Sequence, residues 1–196
     1  MIVGHYAPAL IAHQRQPRAP LWLFMVAGSL QDLVWVALGL AGVEAPRPSS
    51  LLETSFLNMR VEMTYSHDLL PALLWCAVMA GVGYAITRRG AVAAWCAALV
   101  GIHEISDVVA GFQHHVLGPS TPIFTTNLYG RAPELAILIE AAFGAACVWW
   151  FIRARAASGR PISRSTTIGL YAVFVLGALA WLPTARMPLG RLLGVS

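Results

Sequence analysis

The chain has 196 residues, of which 58% are hydrophobic and only 11% are charged, and its mean hydropathy is +0.66. These values exclude an ordinary soluble domain and predict an all-α integral membrane protein. The formal charge of +4 comes entirely from arginine, because the chain contains no lysine. In a membrane protein this excess indicates topology and contact with anionic lipid, so we expect membrane lipid and no nucleic acid as partners.

The chain begins with a short apolar run, residues 2–14, which is too short to cross a bilayer and predicts an interfacial or half-inserted helix. Longer apolar stretches follow and predict a bundle of about five transmembrane helices in a single membrane domain, residues 1–196. The predicted spans are residues 21–43, 67–87, 91–112, 132–152 and 167–182.

Arginines are distributed unequally between the two sides of this predicted topology. Eight lie in the N-terminal segment, in the turn at residues 88–89 and in the loop at residues 153–164, and five lie on the other side. Because cytoplasmic loops carry the excess of positive charge, the distribution predicts a cytoplasmic N-terminus and a C-terminus outside.

The third predicted span carries His103, Glu104 and Asp107, and His114 and His115 follow near its end. If residues 103–115 form one helix, positions 103, 107 and 114 lie on the same face, since the intervals are close to whole turns. Ionisable groups inside a span are costly and usually face a partner, a cavity or the bundle interior. This stripe is therefore the first candidate for a functional site.

Other ionisable residues are predicted at a similar depth. Under the topology above, His67 and Asp68 begin the second span at the outer face, and Glu140 lies about two turns from the outer end of the fourth. Asp32 is the only charge in the first span and lies near its middle. The polar side chains are thus expected to converge in the outer half of the bundle.

Convergent histidines and carboxylates are how helical bundles bind divalent cations. A structural hydrogen-bond network between helices uses the same residue types, and so does a proton or ion relay, so all three interpretations stay open at this point. A weaker alternative is a zincin-like peptidase, since residues 103–107 differ from His-Glu-x-x-His only by Asp107. The candidate metal ligands are His5, His67, Asp68, His103, Asp107, His114 and Glu140.

Several short motifs occur in a characteristic order across residues 3–153. They are Gly4-His5-Tyr-Ala-Pro-Ala, Pro20-Leu-Trp with Gln31-Asp32, Tyr65-Ser-His-Asp-Leu-Leu70, His103 with Asp107, and Leu128-Tyr-Gly with Glu140. Together they resemble the inner-membrane proteins known as membrane-bound metal-dependent hydrolases. The resemblance implies a bacterial-type inner (plasma) membrane location and a polytopic helical fold. It also implies a metal site to which the Ser-His pair at residues 66–67 contributes its histidine. The residues carried over to this chain are His5, Asp32, His67, His103 and Asp107.

The chain departs from that pattern at two positions. Asp68 stands where a serine commonly follows the histidine, and Gly111 stands where a histidine is expected one turn after Asp107. The second departure removes a possible ligand, so the resemblance implies either a rearranged metal shell or a member without activity.

The function predicted from these observations is a metal-dependent hydrolase that uses a divalent ion, zinc or another transition metal. Asp32 or Glu104 is the expected general base, and the substrate class is a lipid-borne or membrane-proximal ester or phosphoester. The loop at residues 118–130 is expected to cover the outer mouth of the site. The alternative is a non-enzymatic structural or accessory subunit of a larger membrane protein complex, in which the same residues hold helices together or bind a pigment or partner. The expected assembly is a membrane protein complex or a homo-oligomer.

Overall fold

The computed structural model describes residues 3–50 and 52–195, which form helices connected by loops. Within these residues, five helices are long and apolar enough to cross a membrane. The prediction of an all-α membrane bundle with about five spans and a short N-terminal helix is therefore confirmed. The helices are α1 (Ala7–Arg15), α2 (Leu21–Leu40), α3 (Leu69–Thr87), α4 (Gly90–Ala110), α5 (Leu128–Arg131), α6 (Pro133–Ala157), α7 (Arg164–Tyr171), α8 (Gly177–Leu179) and α9 (Leu189–Leu193).

The fifth candidate span, Arg164–Thr184, combines α7 and α8 with a π-helical segment, Ala172–Leu176, and the 3-10 turn Leu182–Thr184. Only 11% of its most apolar window is buried, against 33% or more for α2, α4 and α6. The last span therefore lies at the margin of the bundle, and the candidate site depends on the earlier helices.

Helices α2, α3 and α4 enclose an apolar core, here called the α2–α4 core. Gly83 allows α3 and α4 to approach closely, because a Cβ at this position would lie 2.8 Å from the Cys96 sulfur. Close packing of small residues is the main source of helix association in a bilayer, where the hydrophobic effect does not drive helices together. The buried members of the α2–α4 core are Ala9, Ala12, Ala19, Leu23, Phe24, Ala27, Met79, Val92, Cys96, Leu99 and Val100.

The N-terminal segment is held between α2 and α6. It forms a buried 3-10 turn, Gly4–Tyr6, which continues into α1. On the α2 side, a Cβ at Gly28 would lie 2.6 Å from the His5 carbonyl oxygen, so only glycine permits this approach. On the α6 side, Glu140 accepts hydrogen bonds from the backbone N–H groups of Val3 and Gly4. His5 is therefore fixed in position by two spans that are distant in sequence.

Helix α4 ends at Ala110, so the prediction that residues 103–115 form one helix is wrong. Gly111 leaves the helix with φ −86° and ψ −167°, and a Cβ there would lie 2.6 Å from the Asp107 carbonyl oxygen. The chain then turns back, and the backbone N–H of His114 donates to the Thr125 hydroxyl at 3.1 Å. His114 thus approaches α4 from a loop and not along a helical face.

Asp68 connects this loop to the start of α3. Its two carboxylate oxygens accept hydrogen bonds from the backbone N–H groups of His115, at 2.8 Å, and Gly118, at 2.5 Å. In addition, the Leu69 N–H donates to the His115 carbonyl at 3.1 Å. The segments that carry His67 and His114 are therefore held side by side.

Candidate metal centre

Six ionisable side chains from five segments of the chain meet beside the α2–α4 core. Three lie outside the long helices, in the N-terminal turn, in the loop before α3 and in the loop after α4, and the others lie in α2 and α4. All but Asp32 are nearly or completely buried. We refer to these residues as the His/Asp cluster: His5, Asp32, His67, His103, Asp107 and His114.

Of the four central residues, His67, His103 and Asp107 have the pairwise spacing of ligands around one ion, and Asp32 lies beside the two rings. The Nε2 atoms of His67 and His103 are 3.3 Å apart, and they lie 3.8 Å and 3.6 Å from Asp107 Oδ2. Asp32 Oδ1 lies 3.5 Å from His67 Nε2 and 3.9 Å from His103 Nε2. A tetrahedral zinc ion with bonds of about 2.1 Å requires ligand atoms about 3.4 Å apart. The observed spacings agree with that geometry.

Hydrogen bonds outside the cluster fix which nitrogen of each central ring carries the proton. His103 Nδ1 lies 2.8 Å from the Gly28 carbonyl oxygen, and a carbonyl can only accept, so Nδ1 is the protonated nitrogen. His67 Nδ1 lies 2.8 Å from the Ser66 hydroxyl, whose own proton is donated to Glu44. In both neutral rings the Nε2 lone pair therefore faces the cluster.

Two lone pairs at 3.3 Å, beside the carboxylates of Asp32 and Asp107, repel one another unless a positive charge lies between them. That charge is either a metal ion or a proton that converts one ring to an imidazolium. The donor set of imidazole nitrogen and carboxylate oxygen is the one that zinc and similar transition metals prefer in proteins. The residues present therefore fit a bound divalent ion.

His5 and His114 lie on either side of the four central residues. The His5 ring stacks on His103, with centroids 3.5 Å apart, and its Nε2 lies 3.4 Å from Asp107 Oδ1. His114 Nε2 lies 4.0 Å from Asp107 Oδ2. Within the described residues, His5 Nδ1 and both ring nitrogens of His114 are buried without a hydrogen-bond partner. Burial lowers the pKa of His5 to about 4 and that of His114 to about 3, so both rings are neutral at pH 7 and can act as ligands.

Asp32 is the only member of the cluster with substantial exposure, since 32% of its side-chain surface is accessible. It lies in the middle of α2, and the neighbouring apolar residues Leu33 and Val36 are about half exposed. Asp32 is therefore the member of the cluster that is open to the surroundings, near the middle of a helix long and apolar enough to cross a membrane.

Two of the predicted ligands, Asp68 and Glu140, use both carboxylate oxygens elsewhere. The hydrogen bonds of Asp68 are described above, and Glu140 accepts from the Tyr129 hydroxyl at 2.6 Å as well as from the N-terminal backbone. Among the described residues, the groups that converge tightly enough to bind an ion contain neither carboxylate. Asp68 positions the loop that carries His114, and Glu140 positions the turn that carries His5.

Glu104, one of the two predicted general bases, lies at the interface between α2 and α4. One of its oxygens accepts from the Gln31 amide at 2.6 Å, and the side chain is nearly buried. The other predicted base, Asp32, lies inside the cluster and has access to its surroundings. The geometry thus favours Asp32 over Glu104 for chemistry at this site.

Glu44, which was not among the predicted site residues, accepts a hydrogen bond from the Ser66 hydroxyl at 2.6 Å. Glu44 lies in an irregular loop, so neither helical periodicity nor a spacing motif indicated its role. The only signal in the sequence was the Ser-His pair itself, because the hydroxyl beside His67 needs a partner when both are buried.

Comparison of the chain with protein-family models, with curated proteins and with solved structures finds no match. The resemblance to membrane-bound metal-dependent hydrolases thus stays a prediction. What the structure establishes is a helical bundle with membrane-spanning dimensions and a buried His/Asp cluster that could bind a metal ion.

Proposed function

We propose that the protein is a membrane-bound hydrolase that depends on a divalent metal ion held by His67, His103 and Asp107. The observation that carries the proposal is the 3.3 Å approach of two Nε2 atoms whose lone pairs are both directed into the cluster. His5 and His114 stand beside Asp107, where they complete the shell or hold that carboxylate in place.

A divalent ion held by His67, His103 and Asp107 would supply the Lewis acidity that makes water easier to deprotonate at neutral pH. Asp32 accepts the proton of the attacking water, because Oδ1 lies within 4 Å of both central imidazoles and the side chain is accessible. The buried rings of His5 and His114 exclude bulk water from the opposite side, which strengthens the electrostatic interactions within the site.

The substrate class we propose is an ester or phosphoester carried by a lipid. The accessible side of the cluster lies beside Asp32, and the exposed residues next to it on α2 are apolar. A substrate that diffuses in the bilayer reaches this side directly, whereas a water-soluble substrate must leave water to do so. The loop at residues 118–130 is bonded to the segment that carries His114, since the Phe124 N–H donates to the His114 carbonyl, and this supports its proposed role as a cover.

The test is a metal and activity assay on the purified protein. We expect elemental analysis by mass spectrometry to find about one equivalent of zinc or another transition metal per chain. We also expect turnover of ester or phosphoester lipids in vesicles that a chelator abolishes and zinc restores. Asp32→Asn should keep the metal and lose most of the turnover. Reproducible absence of metal would reject the proposal and favour the alternative, a structural or accessory subunit in which a proton joins the two imidazoles.

The proposed orientation places the N-terminus in the cytoplasm and the C-terminus outside, in a bacterial-type inner membrane. It rests on the arginine distribution, eight against five. Reporter fusions after Arg89 and Arg164 should report the cytoplasm, and fusions near Ser50 and Ser120 should report the outer side. A cytoplasmic signal from the fusion near Ser50 would reverse the orientation and place the cluster in the cytoplasmic half.

A further inference from the structure

Glu44 is almost completely buried, with 2% of its surface exposed, although it belongs to a loop. Its carboxylate accepts three hydrogen bonds: Oε1 accepts from the backbone N–H groups of Tyr65 and Ser66, and Oε2 accepts from the Ser66 hydroxyl. A buried carboxylate is costly unless it is bonded in this way. The Glu44 carboxylate is therefore fixed in position against Tyr65 and Ser66, the two residues just before His67.

The backbone around Glu44 is fixed at the end of α2. Gly42 adopts a positive φ of 76°, which turns the chain back, and the N–H groups of Val43 and Glu44 both donate to the Leu38 carbonyl. The carboxylate is thus held at a set distance from the helix that carries Asp32. It connects two segments of the His/Asp cluster without belonging to it.

A chain of two hydrogen bonds runs from His67 through the Ser66 hydroxyl to Glu44. The Ser66 hydroxyl has one proton, which it donates to Glu44 at 2.6 Å, so toward His67 its oxygen can only accept. His67 must then donate from Nδ1, and its Nε2 is left with a lone pair that faces His103 and Asp107. Because the Glu44 carboxylate accepts from two backbone N–H groups as well as from the Ser66 hydroxyl, Glu44 determines the direction in which the protons of these hydrogen bonds point.

We infer that Glu44 is a positioning residue of the metal centre, and that it acts through Ser66 to hold His67 in the tautomer that can bind metal. The inference deepens the proposed function and rests on it for the identity of the ligand. Partners of this kind behind metal-binding histidines orient the ring and raise its basicity, and their loss commonly weakens metal binding about 10- to 100-fold. His103 has a backbone carbonyl in the same role. His67 is therefore the central ligand whose tautomer depends on a replaceable side chain.

The decisive substitution is Glu44→Gln, which preserves size and shape. The amide oxygen can still accept from the two backbone N–H groups, but the amide nitrogen then faces Ser66 and donates to its oxygen. The Ser66 proton is directed to His67 Nδ1, and the ring proton moves to Nε2, where it blocks coordination. The expected result is zinc affinity about 10- to 100-fold lower than in the parent protein. Glu62→Gln is the matched control, since Glu62 is exposed in the same loop.

The second readout is the tautomer itself, observed by NMR of protein labelled with nitrogen-15 in its histidine rings. In the parent, before and after zinc is added, His67 should carry its proton on Nδ1, and in Glu44→Gln the metal-free ring should carry it on Nε2. Ser66→Ala should also weaken zinc binding, and the double variant should be no weaker than the worse single variant, because both changes break one pathway. If Glu44→Gln does not fold, Ser66→Ala alone decides the zinc measurement.

Two outcomes would overturn the inference. One is a parent protein in which His67 carries its proton on Nε2 in the metal-free state, and the other is zinc affinity in Glu44→Gln and Ser66→Ala within twofold of the parent. Neither readout depends on hydrolysis. If zinc binds and the tautomer behaves as stated but no substrate is turned over, the proposed reaction fails while the role of Glu44 stands.

Discussion

The α2–α4 core and the His/Asp cluster use the same helices in opposite ways. In its first three turns α4 presents Val92, Cys96 and Leu99, which pack without exposure, and one turn later it presents His103 and then Asp107. The core holds the helices together by close apolar packing. The cluster instead places imidazole nitrogens and carboxylate oxygens within 4 Å of one another, where their interaction depends on charge. The residues that pack the helices together and the residues of the His/Asp cluster therefore occupy different turns of α4. A substitution in one group should leave the other group intact.

The largest expected effect is on metal content. His103→Ala removes one of the proposed central ligands and should reduce bound metal to less than a tenth of the parent value, because the other proposed ligands lose the geometry of a tight site. The helical content measured by circular dichroism should stay unchanged, since the α2–α4 core is intact. His115→Ala is the matched control, as this histidine follows His114 in sequence but lies outside the cluster.

If His103→Ala retained metal at the level of the parent, the assignment of this ring as a ligand would be wrong. If it lost helical structure instead, the separation between core and cluster would not hold.

The next effect tests the core. Gly83→Val places carbon atoms where a Cβ alone would be 2.8 Å from Cys96 Sγ and 3.3 Å from Ala93 Cα. Since backbone must move, we expect a loss of about 3 kcal/mol in the free energy of unfolding. The folded fraction of the variant should still bind as much metal per chain as the parent protein does. Gly81→Val, at a position with no atom within 4 Å of the added Cβ, should cost far less in the same denaturation experiment.

Glu140 links the two regions, because it fixes the N-terminal turn that carries His5. Glu140→Ala leaves the buried N–H of Gly4 and the Tyr129 hydroxyl without their partner, so we expect a loss of about 2 kcal/mol in stability. Hydrogen exchange at Gly4 should accelerate. Glu134→Ala on the same helix is the control: its ion pair with Arg186 is exposed and screened by solvent, so its loss should change stability much less. Equal losses in both variants would contradict the role given to Glu140.

The smallest effect concerns the loop after α4. The Thr125 hydroxyl accepts from the His114 N–H and donates to the Phe112 carbonyl, so Thr125→Val should cost about 1 kcal/mol and loosen His114. Zinc affinity measured by calorimetry should fall a few-fold. Thr126→Val, which removes a hydroxyl bonded to Val109 on α4, should leave zinc affinity unchanged.

The sequence indicated the helices and part of the site for a physical reason. Long apolar runs specify spans, and the spacing of His103 and Asp107 places both on one face of a helix wherever that helix packs. His5 and His67 were indicated by short motifs. His114 was predicted as a ligand through a continuous helix that does not exist, because the effect of Gly111 depends on a contact with the Asp107 backbone that periodicity does not reveal.

The supporting residues were harder to predict. Glu44, Asp68 and Glu140 all accept backbone N–H groups from segments far away in sequence. Such partners are set by how loops fold back, and loop paths carry no periodic signal. A carboxylate that binds a metal and one that holds a loop look identical in the sequence, so Asp68 and Glu140 were predicted as ligands alongside Asp107.

The bond between Gly4 and Glu140 joins residues 136 positions apart. During synthesis, the segment that carries His5 emerges first, but the residue that anchors it emerges only with the fourth span. The cluster can therefore reach its final form only after most of the chain has left the ribosome and entered the membrane. Under the proposed function, a truncated chain that ends before α6 should lack the anchor of His5 and bind the metal more weakly than the full chain.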